Sequence, residues 1–468
     1  MTGAAGDQLA PQAAGAPAPG AEGAGPNDTG PARSRPPEKT SPALATLIMY
    51  GTNLGVAVMS LANVLIVSRV LGPTGRGNVA FLTAIAWFTS SLASAGIEEA
   101  NANLGASEPE SRPSLATNSV VFALLLGAFA ASVVAGLVHL VPAIGGAAPR
   151  GLLWLTLSLL PVLILQLYLR WLVRADYAFT ISNVALLITP VGNIAANGVL
   201  AVLGALTVGT AVVTWLAGQT AATVILIWYV ARRLAGFGQP DRNLMGRALA
   251  FGLKTHAGRV MLLGNFRLDQ WILGAISGAR ELGLYSVAVA WAEALWYLPT
   301  ALKFVQRPYL VRSGRLDAVR QAAAGFRAAT VATVVFGVVM VLIAPFLCVT
   351  IFGADFEGSI VELRILVLGA LGVLTLTVLG NALVAQRRPV LSSISLAAGF
   401  VCTLVLDIVL IPPYAGIGAA VASSIAYTVA GVAMGFFFTR ALGASAGALI
   451  PRGSDFVWFV RMLRRLRQ

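Results

Sequence analysis

The chain has 468 residues, 57% of them hydrophobic and only 11% charged, against roughly 25% charged in an ordinary soluble domain. That composition excludes a water-soluble globular fold. Lys and Arg outnumber Asp and Glu by 32 to 19, but no DNA- or RNA-binding signature accompanies them, so nucleic acid is not expected as a partner and the excess reads as loop charge of a membrane protein.

Residues 1–42 are rich in Ala, Gly and Pro and lack the apolar core of a signal peptide, so they are expected to form a disordered cytoplasmic tail. Apolar runs then recur near 44–67, 78–97, 115–141, 152–172, 181–203 and 208–231, and again near 246–275, 282–302, 328–352, 362–385, 390–411 and 415–439. Each suits a helix crossing roughly 30 Å of hydrocarbon. The expected fold is an all-α integral membrane protein of about twelve transmembrane helices, with an N-lobe over 43–232, a cytoplasmic linker over 233–245, a C-lobe over 246–440 and a basic amphipathic tail over 441–468. If the first helix starts in the cytoplasm, the tails and even-numbered loops hold 25 of the 32 basic residues and the odd-numbered loops five. This asymmetry predicts a multi-pass protein of the cell membrane with both termini cytoplasmic. The loop over 98–114 runs against the trend, with Glu98, Glu99, Glu108 and Glu110 beside Arg112 alone.

The two halves share weak internal similarity. Gly72 and Gly77 match Gly278 and Gly283 at a spacing of 206 residues, Leu172-Val173 and Ser182 match Leu383-Val384 and Ser393 at 211, and Gly204 matches Gly416 at 212. Common order and a slowly growing offset point to a duplication. With an even number of spans in each half, the two pseudo-symmetric six-helix lobes share one orientation and enclose a central cavity.

Charge inside a span costs roughly 2.5–3.5 kcal/mol on insertion scales and marks a cavity or an ion pair. The seventh span concentrates it, with Lys254, His256, Arg259, Arg267, Asp269 and Gln270. At 100° per residue His256, Arg259, Arg267 and Gln270 share one face, whereas Asp269 and Lys254 project from the other. A guanidinium holds a phosphate through two parallel hydrogen bonds, so a cationic face lining a cavity suits an anionic headgroup. Two plainer readings stand beside it: Lys254, His256 and Arg259 snorkel to the interface, and Arg267 pairs with Asp269 or Glu293. Asp407, Asn53, Asn63, Asn193 and Asn197 read as polar glue between helices. Cys348 and Cys402 read as core residues, and neither a cofactor nor a metal site is expected.

The stretch Arg267-Leu-Asp269-Gln270, continued by Gly278-Ala-Arg-Glu281-Leu282-Gly283-Leu-Tyr285, resembles the seventh and eighth helices of Wzx-like polysaccharide flippases. Ser68-Arg69-Val-Leu71-Gly72-Pro73-Thr-Gly75-Arg76-Gly77 resembles that family's first loop, and Ile411-Pro412-Pro413-Tyr414 its boundary between helices 11 and 12. The resemblance implies the multidrug/oligosaccharidyl-lipid/polysaccharide exporter superfamily, alternating access between two lobes, and a polyprenyl-linked glycan whose headgroup meets Arg267, Arg259, His256, Gln270 and Lys254. It also brings glycosyltransferases or a polymerase into view as partners. The rival functions are a cation-coupled antiporter, a flippase of the peptidoglycan precursor, and a non-transporting scaffold. The first span has no charged residue with which to couple cations, and the two extra helices usual in flippases of the peptidoglycan precursor are not found. An enzyme is not expected, since no Asp-x-Asp and no sizeable loop offers a catalytic site.

Residues 455–467 place Phe456, Phe459, Val460, Leu463 and Leu466 on one helical face, with arginines around it, which suits binding to an anionic inner leaflet. A peptide of this segment is expected to turn helical by circular dichroism on phosphatidylglycerol vesicles. A peptide that stays unfolded and unbound there would remove the tail from the membrane surface.

Overall fold

Twelve helices account for the described residues, 42–146 and 148–453 of a computed structural model. Of the two predicted tails, residues 1–41 of the first and 454–468 of the second lie outside them. In chain order, the helix Pro42–Ala93 breaks at Gly72 into α1 (42–71) and α2 (73–93), and α2 is extended by Ile97–Ser107. Then come α3 Arg112–Leu140, α4 Arg150–Ala175, α5 Phe179–Val202 and α6 Val208–Arg233. The second half holds α7 Arg242–Ile276, α8, α9 Arg315–Thr350 and α10 Ser359–Ala385. Here α8 is Ala279–Ala292 and Tyr297–Arg312 joined by a 3-10 turn at Glu293–Trp296. The last helix, Pro389–Leu442, breaks at Ala415 into α11 (389–414) and α12 (416–442).

Helix satisfies every backbone polar group within its own segment, as lipid demands. Local sequence sets the ends. Asp241 starts α7 by accepting from the amides of Asn243 and Leu244 at 2.8 and 3.0 Å, and Thr207 starts α6 through a reciprocal capping box with Thr210. Gly443, at φ 70°, closes α12. Large apolar side chains point outward, among them Phe129 at 68% exposure and Leu342 at 71%, a surface that lipid covers.

Eight stretches are long and apolar enough to cross a membrane, and because two of them hold two helices each, they take in ten of the twelve helices. The two left over are α7 and α8, the helices in which the sequence concentrates charge. They sit where the lobes meet. Within the N-lobe α4 packs on α2, α3 and α6; within the C-lobe α10 packs on α8, α9, α11 and α12, while α7 contacts both its own lobe and α2.

Backbone conformation carries the duplication further than sequence identity does. Gly72 (φ 64°, ψ −175°) and Gly278 (φ 87°, ψ 179°) adopt the same positive-φ conformation with ψ near 180° ahead of α2 and α8. Positive φ recurs in the same order at Gly146 and Gly353 and at Tyr177 and Arg387. One expected match shifts by a residue: the partner of Gly204 (φ 67°) is Ala415 (φ 46°) and not Gly416, because the break in the chain falls one position earlier than the sequence alignment places it.

At the crossing of α2 and α8 the repeats meet face to face. A Cβ on Gly77 would overlap the carbonyl oxygen of Ala279, and one on Gly283 would overlap that of Pro73. Each glycine therefore lets the partner helix's first turn touch its backbone. Gly77→Val and Gly283→Val are each expected to cost about 2–3 kcal/mol through overpacking, read as a lower thermal midpoint in detergent. Gly136→Ala, in α3 with no atom within 4 Å of its Cβ position, is expected to leave the midpoint unchanged or raise it.

Candidate functional site

The charged residues of α7 are tied to other helices one by one. Arg259 Nη1 lies 3.0 Å from Glu98 Oε1 and 4.0 Å from Glu99 Oε1. Glu98 is fully buried and also accepts from the Ser94 hydroxyl at 3.2 Å. Three residues before Arg259, His256 Nε2 is 2.8 Å from the carbonyl oxygen of Leu92, which it serves as donor. Both contacts cross the lobe boundary to the end of α2. There Gly96 (φ 73°) and Gly252 let the two backbones touch, since a Cβ on either would overlap the other segment. Nearer the start of α7, Arg247 binds both carboxylate oxygens of Glu108. This hydrogen bond holds the Glu108 carboxyl below its ordinary value, so the contact stays charged at neutral pH.

Arg267 is placed differently. Its Nη1 donates to Glu293 Oε1 at 2.6 Å, and Glu293 opens the 3-10 turn that interrupts α8. Beside this pair Phe266, Trp296 and Tyr427 stack with centroids 4.9 to 5.9 Å apart. Of the two carboxylates open to Arg267 in sequence, Glu293 is the one bonded. Asp269 is buried and accepts from Tyr285 Oη at 2.5 Å, Ser423 Oγ at 3.0 Å and the Gln270 amide at 2.7 Å. The predicted face is thus divided: His256 and Arg259 turn to the N-lobe, Arg267 turns to α8, Gln270 is buried, and Lys254 is exposed. Eight residues, or roughly 12 Å of helix, separate Arg259 from Arg267.

Two further cations stand one turn apart on α4: Arg170, which sequence reasoning passed over, and Arg174, which the sequence resemblance assigns to the short turn after that helix. Arg170 shares the electrostatic surroundings of Arg259 together with Glu98 and Arg174. The Nε of Arg170 and that of Arg259 are buried without an acceptor. Arg174 donates to Ser182 Oγ at 2.7 Å and lies over the Trp171 ring at 5.4 Å. Their spacing of four residues in an apolar run was the available signal, but at a span end it also reads as snorkelling. Around Glu98 the seam therefore holds Arg259 and Arg170, each with a buried Nε that lacks an acceptor. Such a cluster suits a phosphate, because a guanidinium holds one through two parallel hydrogen bonds whereas Arg259 meets Glu98 through Nη1 alone.

Asp407 departs from the expectation of polar glue: it is fully buried on α11 and neither carboxylate oxygen has a hydrogen-bond partner. Asn63 and Asn197 do act as glue, joined at 2.8 Å across α1 and α5. Among the described residues no three His, Cys, Asp or Glu side chains come together as a metal site.

Removing one member of the Arg267–Glu293 pair leaves the other charged and largely enclosed. Arg267→Ala and Glu293→Ala are each expected to cost about 3 kcal/mol, and the double variant to recover most of that loss, as read by denaturant unfolding in micelles. Additive losses would show that the two side chains act independently.

Residues 45–298 match the family model described as polysaccharide biosynthesis protein. No curated protein matches the chain. Among solved structures, the fold is similar to the lipid II flippase MurJ in an inward closed conformation, at a TM-score of 0.72 with 13% identity over 88% of this chain and 90% of that one. It is similar to an inward-facing MATE multidrug resistance transporter at 0.68, with 14% identity over 84% and 98%. The outward-facing form of such a transporter gives 0.58, with 13% identity over 87% and 97%. The fold is that of the exporter superfamily, and with the family model covering more than half its length, the chain belongs to the polysaccharide biosynthesis protein family.

Proposed function

We propose that this protein flips a polyprenyl-(pyro)phosphate-linked oligosaccharide from the inner to the outer leaflet of the cell membrane, by alternating access, for cell-surface polysaccharide. The observation that carries the reading is the seam between α2, α4 and α7, where Arg259 meets the buried Glu98 and Arg170 shares their surroundings with its Nε unpaired. A lipid-linked phosphate entering there takes hydrogen bonds from Arg259 in place of Glu98 and so loosens the tie between the lobes. Arg267 and the aromatic group beside it then meet the first sugars, through charge and ring stacking. Rocking about the α2–α8 crossing widens the seam on the inner side, release on the far side requires that crossing to part in turn, and the lipid tail stays in the bilayer throughout.

The basic even-numbered loops and tails support a cytoplasmic location for both termini. They set the seam on the inner side, where the substrate is made, and give glycosyltransferases or a polymerase a basic surface to dock on. A cation-coupled antiporter is the second reading, favoured by the unpartnered carboxylate of Asp407.

Deletion of the gene in its host is expected to accumulate an undegraded lipid-linked glycan, extractable and measurable by mass spectrometry. The native protein should clear it, and Arg259→Ala or Arg267→Ala should clear it at least about tenfold more slowly. No accumulation would move the antiporter and scaffold readings ahead.

A further inference from the structure

A polar cavity lies wholly within the N-lobe, away from the seam. It measures about 240 Å³ and opens between α1, α2, α5 and α6, with Arg76, Asn63, Asn193, Asn197, Thr83 and Trp215 in its wall. Arg76 sits in the first turns of α2. The described acidic residues of this lobe, Glu98, Glu99, Glu108, Glu110 and Asp176, all lie at or beyond the other end, and from Arg76 to Glu98 is roughly 33 Å of helix. Across the lobe boundary Glu281 is engaged by Arg280 at 3.5 Å. Arg76 accordingly forms no ion pair among the described residues, and its Nε is buried without an acceptor.

An unmatched guanidinium in a membrane lobe is costly and calls for an anion. The remaining wall says which kind. Asn193 is 6% exposed, lines the cavity, and leaves its Oδ1 without a donor, so a ligand hydroxyl can satisfy it. Asn197 is held by Asn63 at 2.8 Å and by Thr214 at 2.9 Å, which fixes its amide in the wall. The Trp215 ring supplies an apolar face of the kind on which a sugar ring stacks. The volume falls below the roughly 300–1,000 Å³ of sites for larger ligands, enough for one ring and not for a chain.

The geometry points to a binding site for a single acidic sugar unit, its carboxylate on Arg76, its hydroxyls on Asn193 and its ring against Trp215. The inference rests on the flippase reading and deepens it: the transported glycan carries a uronic acid, and this lobe engages it at the end opposite the seam.

The test is isothermal titration of the full-length protein in detergent with glucuronate, glucose and inorganic phosphate. Glucuronate is expected to bind at least about tenfold more tightly than either of the others, and Arg76→Gln to lose about tenfold of that affinity, near 1.4 kcal/mol. Should Arg76→Gln fail to fold, Asn193→Asp, which sends an internal carboxylate into the same cavity, and Trp215→Leu are expected to show the same loss. Phosphate binding as well as glucuronate would overturn the proposal in favour of an adventitious anion only. No glucuronate binding, or equal binding by native protein and variants, would also overturn it. Either failure leaves the flippase reading intact if the deletion strain still accumulates lipid-linked glycan, whereas no accumulation removes that reading whatever the titration shows.

Discussion

The organisation of this protein follows from the cost of leaving an arginine unmatched in hydrocarbon. Arg259 and Arg267 both lie on α7, yet neither is matched from α7 itself. Glu98 comes from the extension of α2 in the other lobe and Glu293 from the break in α8. Each ion pair therefore fixes α7 against a different neighbour, and the helix becomes the piece through which the lobes communicate. This also explains why α7 and α8 are less apolar than the ten helices around them. Arg259, Arg267, Asp269 and Glu293 are held against neighbouring helices, and a helix so packed need not be apolar all round.

The opposite end of the molecule is built on another principle. Where α2 crosses α8, contact is between the glycines of one repeat and the carbonyls of the other, and not between charges. Duplication supplies this for nothing extra, since a glycine that permits close approach in one half exists in the other half also. Close backbone packing of this kind is the usual means of association where hydrophobic driving force is absent. Arg69 reinforces it, donating to the carbonyl oxygens of Ile351 and Thr350 at 2.6 and 2.5 Å across the two lobes.

The twelve helices were legible because each is an apolar run, and the special character of α7 was legible because its charges are not. The duplication was visible at Gly72, Gly77, Gly278 and Gly283, where a backbone requirement preserves the residue, and faint elsewhere, because positive φ recurs at Tyr177 and Arg387 without a shared residue type. Partners were the illegible part. Glu98 belongs by composition to an acidic loop, and only the continuation of helix over Ile97–Ser107 explains why that loop defies the charge asymmetry of the others. Its first carboxylate is buried against Arg259. Arg170 was hidden for the same reason, since a basic residue at a span end looks alike whether it snorkels or turns inward. Asp407 shows the converse error: a polar residue inside an apolar helix suggests a hydrogen bond to its neighbour, and none is made.

The two kinds of contact differ in what can undo them. Backbone packing at glycine has no competitor in the membrane, for lipid cannot enter the gap between Gly77 and Ala279. The Arg259–Glu98 pair has one, since it is held through Nη1 alone and a phosphate offers the guanidinium a two-pronged geometry with more charge. An anionic substrate can thus release Arg259 from Glu98 while leaving the α2–α8 crossing in place. On the flippase reading that difference assigns the mechanical roles: the crossing is the pivot, the ion pairs are the gate, and the headgroup opens the gate by replacing the carboxylate that holds it shut.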